Sequence, residues 1–86
     1  MLRVMEDELR SHLITCATAY AAAMRLSTTT VGRLAVNDWR FFDRMADGAG
    51  FTVAKYDEVM RWFDANWPPA ADWPQGVPRQ TAEAAA

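Results

Sequence analysis

The stretch "YAAAMRLSTTTVGRLAVND", Tyr20 to Asp38, decides the fold. An alanine-rich apolar helix pattern runs into Met24-Arg25-Leu26, a serine and three threonines follow, and a second apolar period begins. Ser27 is a good N-cap, because a short side-chain oxygen can accept one of the orphan N–H groups of a first helical turn. Hydroxyl residues also compete for backbone partners, which weakens any single helix running through them. The spacing predicts two helices joined by a three- or four-residue turn, the second reaching about Val36. Ala21 supplies the small residue where the second helix crosses the first, and Met24 and Leu26 flank Arg25 as apolar anchors. Val31, Leu34 and Ala35 are expected to face inward, leaving Thr28, Thr29, Gly32 and Arg33 on a free face.

Upstream, Met5, Leu9, His12/Leu13, Cys16 and Tyr20 recur at helical spacing from about Val4 to Met24, uninterrupted by proline or glycine. Downstream, Asn37-Asp38 ends the second helix. A third short helix, "WRFFDRMAD", turns Phe41, Phe42 and Met45 inward and stops at Gly48 and Gly50. Thr52 caps a fourth, in which Val53, Tyr56, Val59/Met60 and Phe63 form the buried stripe, and Pro68 and Pro69 end it. The remaining "WPPAADWPQGVPRQTAEAAA" holds all four prolines and reads as an extended arm, leaning on the core through Trp67 and Trp73 before a flexible tail. No internal repeat and no strand alternation stand out. The expectation is an all-α bundle of four to five helices, a domain over residues 1–67 with arm and tail over 68–86.

The bulk numbers fit one small domain. Of 86 residues, 51% are hydrophobic and ten are aromatic, which argues against disorder. No apolar run approaches the roughly 18–20 residues of a membrane-crossing helix. The acidic, alternating start is unlike a signal peptide, so a cytoplasmic protein is expected. The single Cys16 lies on an apolar helix face, where a cysteine behaves as a small hydrophobe. The formal net charge is −2, unevenly spread: residues 25–55 carry a net of +2, whereas residues 56–86 carry −3. The basic excess sits beside the threonines.

From these residues the stretch resembles the helix-turn-helix of lambda-repressor-like DNA-binding domains. It is closer still to small helix-turn-helix regulators of bacterial and prophage genomes, whose helical core continues as an "FFDRL…G" helix. The likeness covers roughly Ile14 to Pro68 and implies a compact bundle of four or five helices that binds duplex DNA, usually as a dimer. One departure is the turn position usually held by glycine, which is Arg25 here. Carried over by position, Thr28 and Thr29 open the recognition helix where base edges are touched, and Arg33 follows one turn later, a residue type suited to a guanine edge. Ser27 and the helix N-terminus could meet a phosphate. Gly32 would let the helix approach closely. Asn37, Arg40 and Arg44, with Trp39, could contact the flanking backbone, which positions a protein without specifying sequence.

Other functions are weaker. Asp57/Glu58 and Asp43/Asp47 have no glycine-rich loop, second histidine or apolar pocket beside them, so an enzyme is not expected. No metal-ligand cluster and no cofactor motif is present in the sequence. Two alternatives remain: a protein-interaction module on the same scaffold, or a phage assembly or packaging-recognition component. The acidic ends could contact RNA polymerase or another regulatory protein. Arginines around Thr28 and Thr29 favour DNA, whereas an apolar patch with Trp39 exposed favours a protein partner.

Overall fold

The computed structural model describes residues 2–79, with side chains from Glu6 onward. Four helices follow one another: α1 (Leu2–Met24), α2 (Thr28–Val36), α3 (Phe41–Ala46) and α4 (Val53–Asn66). There is no strand among the described residues. α1 packs against each of the other three, and α2 also meets α3 and α4. One core results, centred on Leu13, Cys16, Val31, Met45, Val59, Met60 and Phe63, all nearly or fully excluded from solvent. Burial pushes the Cys16 thiol up to about 12, so it stays a neutral packing group.

The helix ends follow from their capping residues. At the end of α1, Leu26 N–H donates to the Ala21 carbonyl (2.8 Å) and Arg25 N–H to that of Ala22 (3.4 Å). This six-to-one and five-to-two pair is a Schellman ending, which needs a left-handed residue at its corner. Arg25 takes that conformation at φ 59°. The same pattern closes α3, with Gly48 at φ 94° and bonds from Ala49 to Arg44 (2.9 Å) and from Gly48 to Met45 (3.1 Å). Ser27 caps α2 by accepting from Thr30 N–H (3.2 Å), and Thr52 caps α4 by accepting from Lys55 N–H (3.0 Å). α3 begins at Phe41 rather than at Trp39, because the Asp38 carboxylate accepts Arg40 N–H (3.0 Å) and its carbonyl accepts Phe41 N–H (3.1 Å), forming a turn ahead of the helix.

Two inward assignments, Leu34 and Val53, and one turn anchor, Met24, are corrected. Leu34 and Met24 are 46% and 44% exposed, and Val53, the first residue of α4 and beyond the reach of the core, is 65% exposed. In α2 the buried residues are instead Val31 and Gly32, with Val36 half-buried against the core. Gly32 is therefore not part of the free face. A Cβ placed on it would come within 2.6 Å of the Asp38 carbonyl oxygen and 3.5 Å of the Phe42 ring. Glycine stands here because another backbone does, and Asp38 N–H donates to the Gly32 carbonyl (3.3 Å) across the same contact.

Residues 68–79 form an arm that closes over one end of the bundle, and it contains a repeat after all. "WPPAA" (67–71) and "WPQGV" (73–77) each fold as a turn in which the fifth residue donates its N–H to the proline carbonyl. In each, the indole Nε1 donates to the carbonyl of that fifth residue, at 3.0 Å for Trp67 and 2.8 Å for Trp73. Gly76 supplies the positive φ of 82° that the second turn requires. The two indoles pack at 4.8 Å, Trp67 reaches Tyr20 and Phe63, and Val77 joins the core. The expected tail from residue 80 on lies outside the described residues.

Gly32 in α2 and Arg25 in the turn before it give opposite expectations. Gly32→Ala should lower stability by about 1–3 kcal/mol through overpacking, although alanine is the better helix former by about 1 kcal/mol. Arg25→Gly should raise it by about 0.5–1 kcal/mol by relieving the left-handed penalty. Urea denaturation of both variants checks this; a Gly32→Ala protein more stable than the parent would mean that α2 does not press on the 38 carbonyl.

Candidate nucleic-acid interface

The turn at 25–27 projects α2 with one stripe packed and the opposite one open. At helical spacing the open stripe is Thr30, Arg33, Leu34 and Asn37, with Thr29 at its edge. Arg33, Leu34 and Asn37 are exposed, and Thr29 and Thr30 are half-buried. Arg33 has no acid at ion-pair distance among the described residues. Asn37 holds the left-handed position at the end of α2 (φ 57°), donating its backbone N–H to the Arg33 carbonyl (3.0 Å).

The hydroxyl run is mostly a cap. Ser27 Oγ lies 2.8 Å from Thr29 Oγ1 and 3.0 Å from Thr30 Oγ1 while accepting Thr30 N–H, so it is engaged within the chain rather than free for a phosphate. Thr28 is half-buried, as Thr29 and Thr30 are. Of the three threonines, Thr29 and Thr30 border the open stripe, and their hydroxyls are linked through Ser27.

The basic residues beyond α2 are likewise engaged. The Arg40 guanidinium lies over the Trp39 ring, 4.8 Å from its centroid, and Trp39 itself is 53% exposed. Arg44 forms an ion pair with Asp38, with Nη2 on one carboxylate oxygen and Nη1 3.5 Å from the other. That hydrogen bond, the largest effect, outweighs the opposing desolvation and, with the Arg40 backbone donor and the positive charge of both arginines, holds the Asp38 carboxyl below its ordinary 3.8. Of the residues expected at the site, Arg33 and Asn37 thus lie open on one stripe with Thr29 beside them. Gly32 is buried, Thr28 is half-buried, Ser27 caps, and Arg40 and Arg44 are held by neighbours.

Sequence reasoning missed Leu34 and Thr30 on the open stripe, the Asp38–Arg44 pair, and Arg10. Arg10 bridges α1 to the loop after α3. Its Nη2 donates to the carbonyls of Ala49 (2.7 Å) and Gly48 (3.2 Å), it pairs with Glu6 and Asp7, and it lies over Phe51. No periodicity signals such a long-range contact. His12 lies 3.0 Å, through Nδ1, from the Tyr56 hydroxyl, a part-buried pair between α1 and α4. Burial raises the Tyr56 pKa, so its hydroxyl stays protonated. Among the described residues no three His, Cys, Asp or Glu side chains are grouped to hold a metal, and no helix is long and apolar enough to cross a membrane. Comparison of the chain with protein-family models, curated proteins and solved structures finds no match.

Because the folded Asp38 value is depressed, the pair's contribution is present above 3.8 and is lost as pH falls through the lower folded value. An NMR titration of the Asp38 carboxyl should give a midpoint below 3.8 in the parent and move it up in Arg44→Gln. An unmoved midpoint would mean that Arg44 is not its partner.

Proposed function

We propose that the protein is a small regulator that binds duplex DNA in a sequence-specific way, seating the open stripe of α2 in the major groove. The observation that carries this is Arg33: an exposed guanidinium without an acid partner among the described residues, on a helix set by two tight turns. Its neighbours suit base edges. Arginine pairs with the acceptors of guanine, asparagine with adenine, and an aliphatic side chain such as Leu34 with the thymine methyl. Thr29 and the first-turn N–H groups lie at the end of α2 that enters such a groove, where the helix dipole favours a phosphate. The chain's net charge of −2 keeps sequence-independent attraction low, so affinity rests on the base contacts. Two copies on a pseudo-palindromic site would match the dimeric habit of the resembling regulators.

A second reading is favoured by one specific observation. Met24, Leu34 and Trp39 are all substantially exposed near α2, and aromatic residues exposed in this way are enriched at protein interfaces. On that reading the same scaffold docks a protein, and DNA binding is absent.

Arg33→Ala should leave the thermal melt unchanged and weaken binding to the preferred duplex by about 1–3 kcal/mol, with relaxed preference at one base pair. A fluorescence-anisotropy titration that gave equal affinity for parent and variant would remove Arg33 from the readout.

A further inference from the structure

Resting on the DNA-binding reading, we infer that Asp38 is an internal stand-in for a backbone phosphate, holding Arg44 until a seated duplex takes its place. Asp38 is fixed at the junction of α2 and α3. Its N–H donates to the Gly32 carbonyl, its own carbonyl accepts Phe41 N–H, and Oδ1 accepts Arg40 N–H. The carboxylate is thereby locked in place at the end of the recognition helix, while its partner is not. Arg44 sits on α3 with half its side chain exposed, and Asp38 with a third. Both residues line a cleft of about 280 Å³, together with Val36, Phe41, Phe51 and Lys55.

A carboxylate and a phosphate present the same pair of oxygens to the planar guanidinium fork, and the phosphate is the stronger partner. An ion pair this exposed is cheap to break. Exchange therefore requires only that a phosphate be brought within reach, which happens when α2 is seated in the groove and not when the protein rests loosely on a non-cognate duplex. Until then one cation at the edge of the interface is withheld. A cation free at that position would add equally to every duplex it met, because phosphate contacts carry no sequence information. By holding Arg44, Asp38 lowers affinity for DNA at large and widens the margin for the preferred site.

The test is binding of a random-sequence duplex and of a duplex selected by the protein, from 50 to 200 mM KCl, by the parent and four variants. Asp38→Asn keeps the acceptor for Arg40 N–H and removes the charge; Asp38→Ser does the same with a hydroxyl should the first melt too low. For either, the random duplex should bind more tightly, and its loss of affinity across that salt range should steepen by about 3.5-fold, the signature of one added phosphate contact. The selected duplex should gain less, because there the exchange has already occurred. Asp38→Asn/Arg44→Gln should return the salt dependence to that of the parent. Asp43→Asn, the same charge change on the exposed face of α3, should not steepen it. Steepening that survives Arg44→Gln, or that Asp43→Asn reproduces, would overturn the inference and leave DNA binding standing. Equal gains on both duplexes would also overturn it. Absence of DNA binding by the parent and every variant would overturn both readings.

Discussion

The backbone contact between Gly32 and Asp38 is the constraint on which the rest of the structure depends. α2 is only nine residues long, too short to be stable alone, so its orientation comes from packing. The missing side chain at Gly32 lets the Asp38 carbonyl lie against the helix, and the Asp38 N–H bonds back to Gly32. Together these fix the direction in which the chain leaves α2 and enters α3. With that corner set, Phe41, Phe42 and Met45 fall onto the core from one side while Val31 reaches it from the other. The open stripe of α2 is what remains once the packed stripe has been used. The exposed surface of α2 is therefore a product of the core, not an addition to it.

The same corner organises the charge. Asp38 cannot leave the junction without losing two backbone hydrogen bonds and the one its side chain accepts from Arg40 N–H, so its carboxylate acts as a fixed negative point between Arg40 and Arg44. Arg40 turns towards the Trp39 ring and Arg44 towards the carboxylate. Arg33, earlier on α2, is left without an acid among the described residues. The basic residues of the middle of the chain thus divide into Arg25 and Arg33, without an acid at ion-pair distance among the described residues, and Arg40, Arg44 and Lys55, which neighbours hold.

Much of the fold was legible from capping chemistry. Ser27, Gly48, Thr52 and Pro68 each have a conformational or hydrogen-bonding reason to stand at a helix boundary, and the helices begin and end beside them. Periodicity also placed Leu13, Cys16, Tyr56 and Phe63 inside. It failed in α2, where Leu34 was read inward for its apolar side chain and Gly32 outward for having none. A buried glycine makes its contact through backbone, which hydropathy cannot register. The site was less legible than the fold: Arg33 and Asn37 were found open, but the partners that hold Arg40 and Arg44 depend on where the turn at 38–40 points. The paired Trp-Pro turns were visible as "WPPAA" and "WPQGV", yet their similarity becomes informative only when each indole is seen to close its own turn.

The central claim is that the open stripe of α2 reads duplex sequence, and selection of random duplex DNA on the purified protein, at two salt concentrations, tests it most directly. The account predicts an enriched motif whose affinity falls as salt rises, with a half-site spacing of about one helical turn if two copies bind together. Recovery of no motif, with binding absent or insensitive to salt, would contradict it and leave the exposed Leu34 and Trp39 as marks of a protein partner.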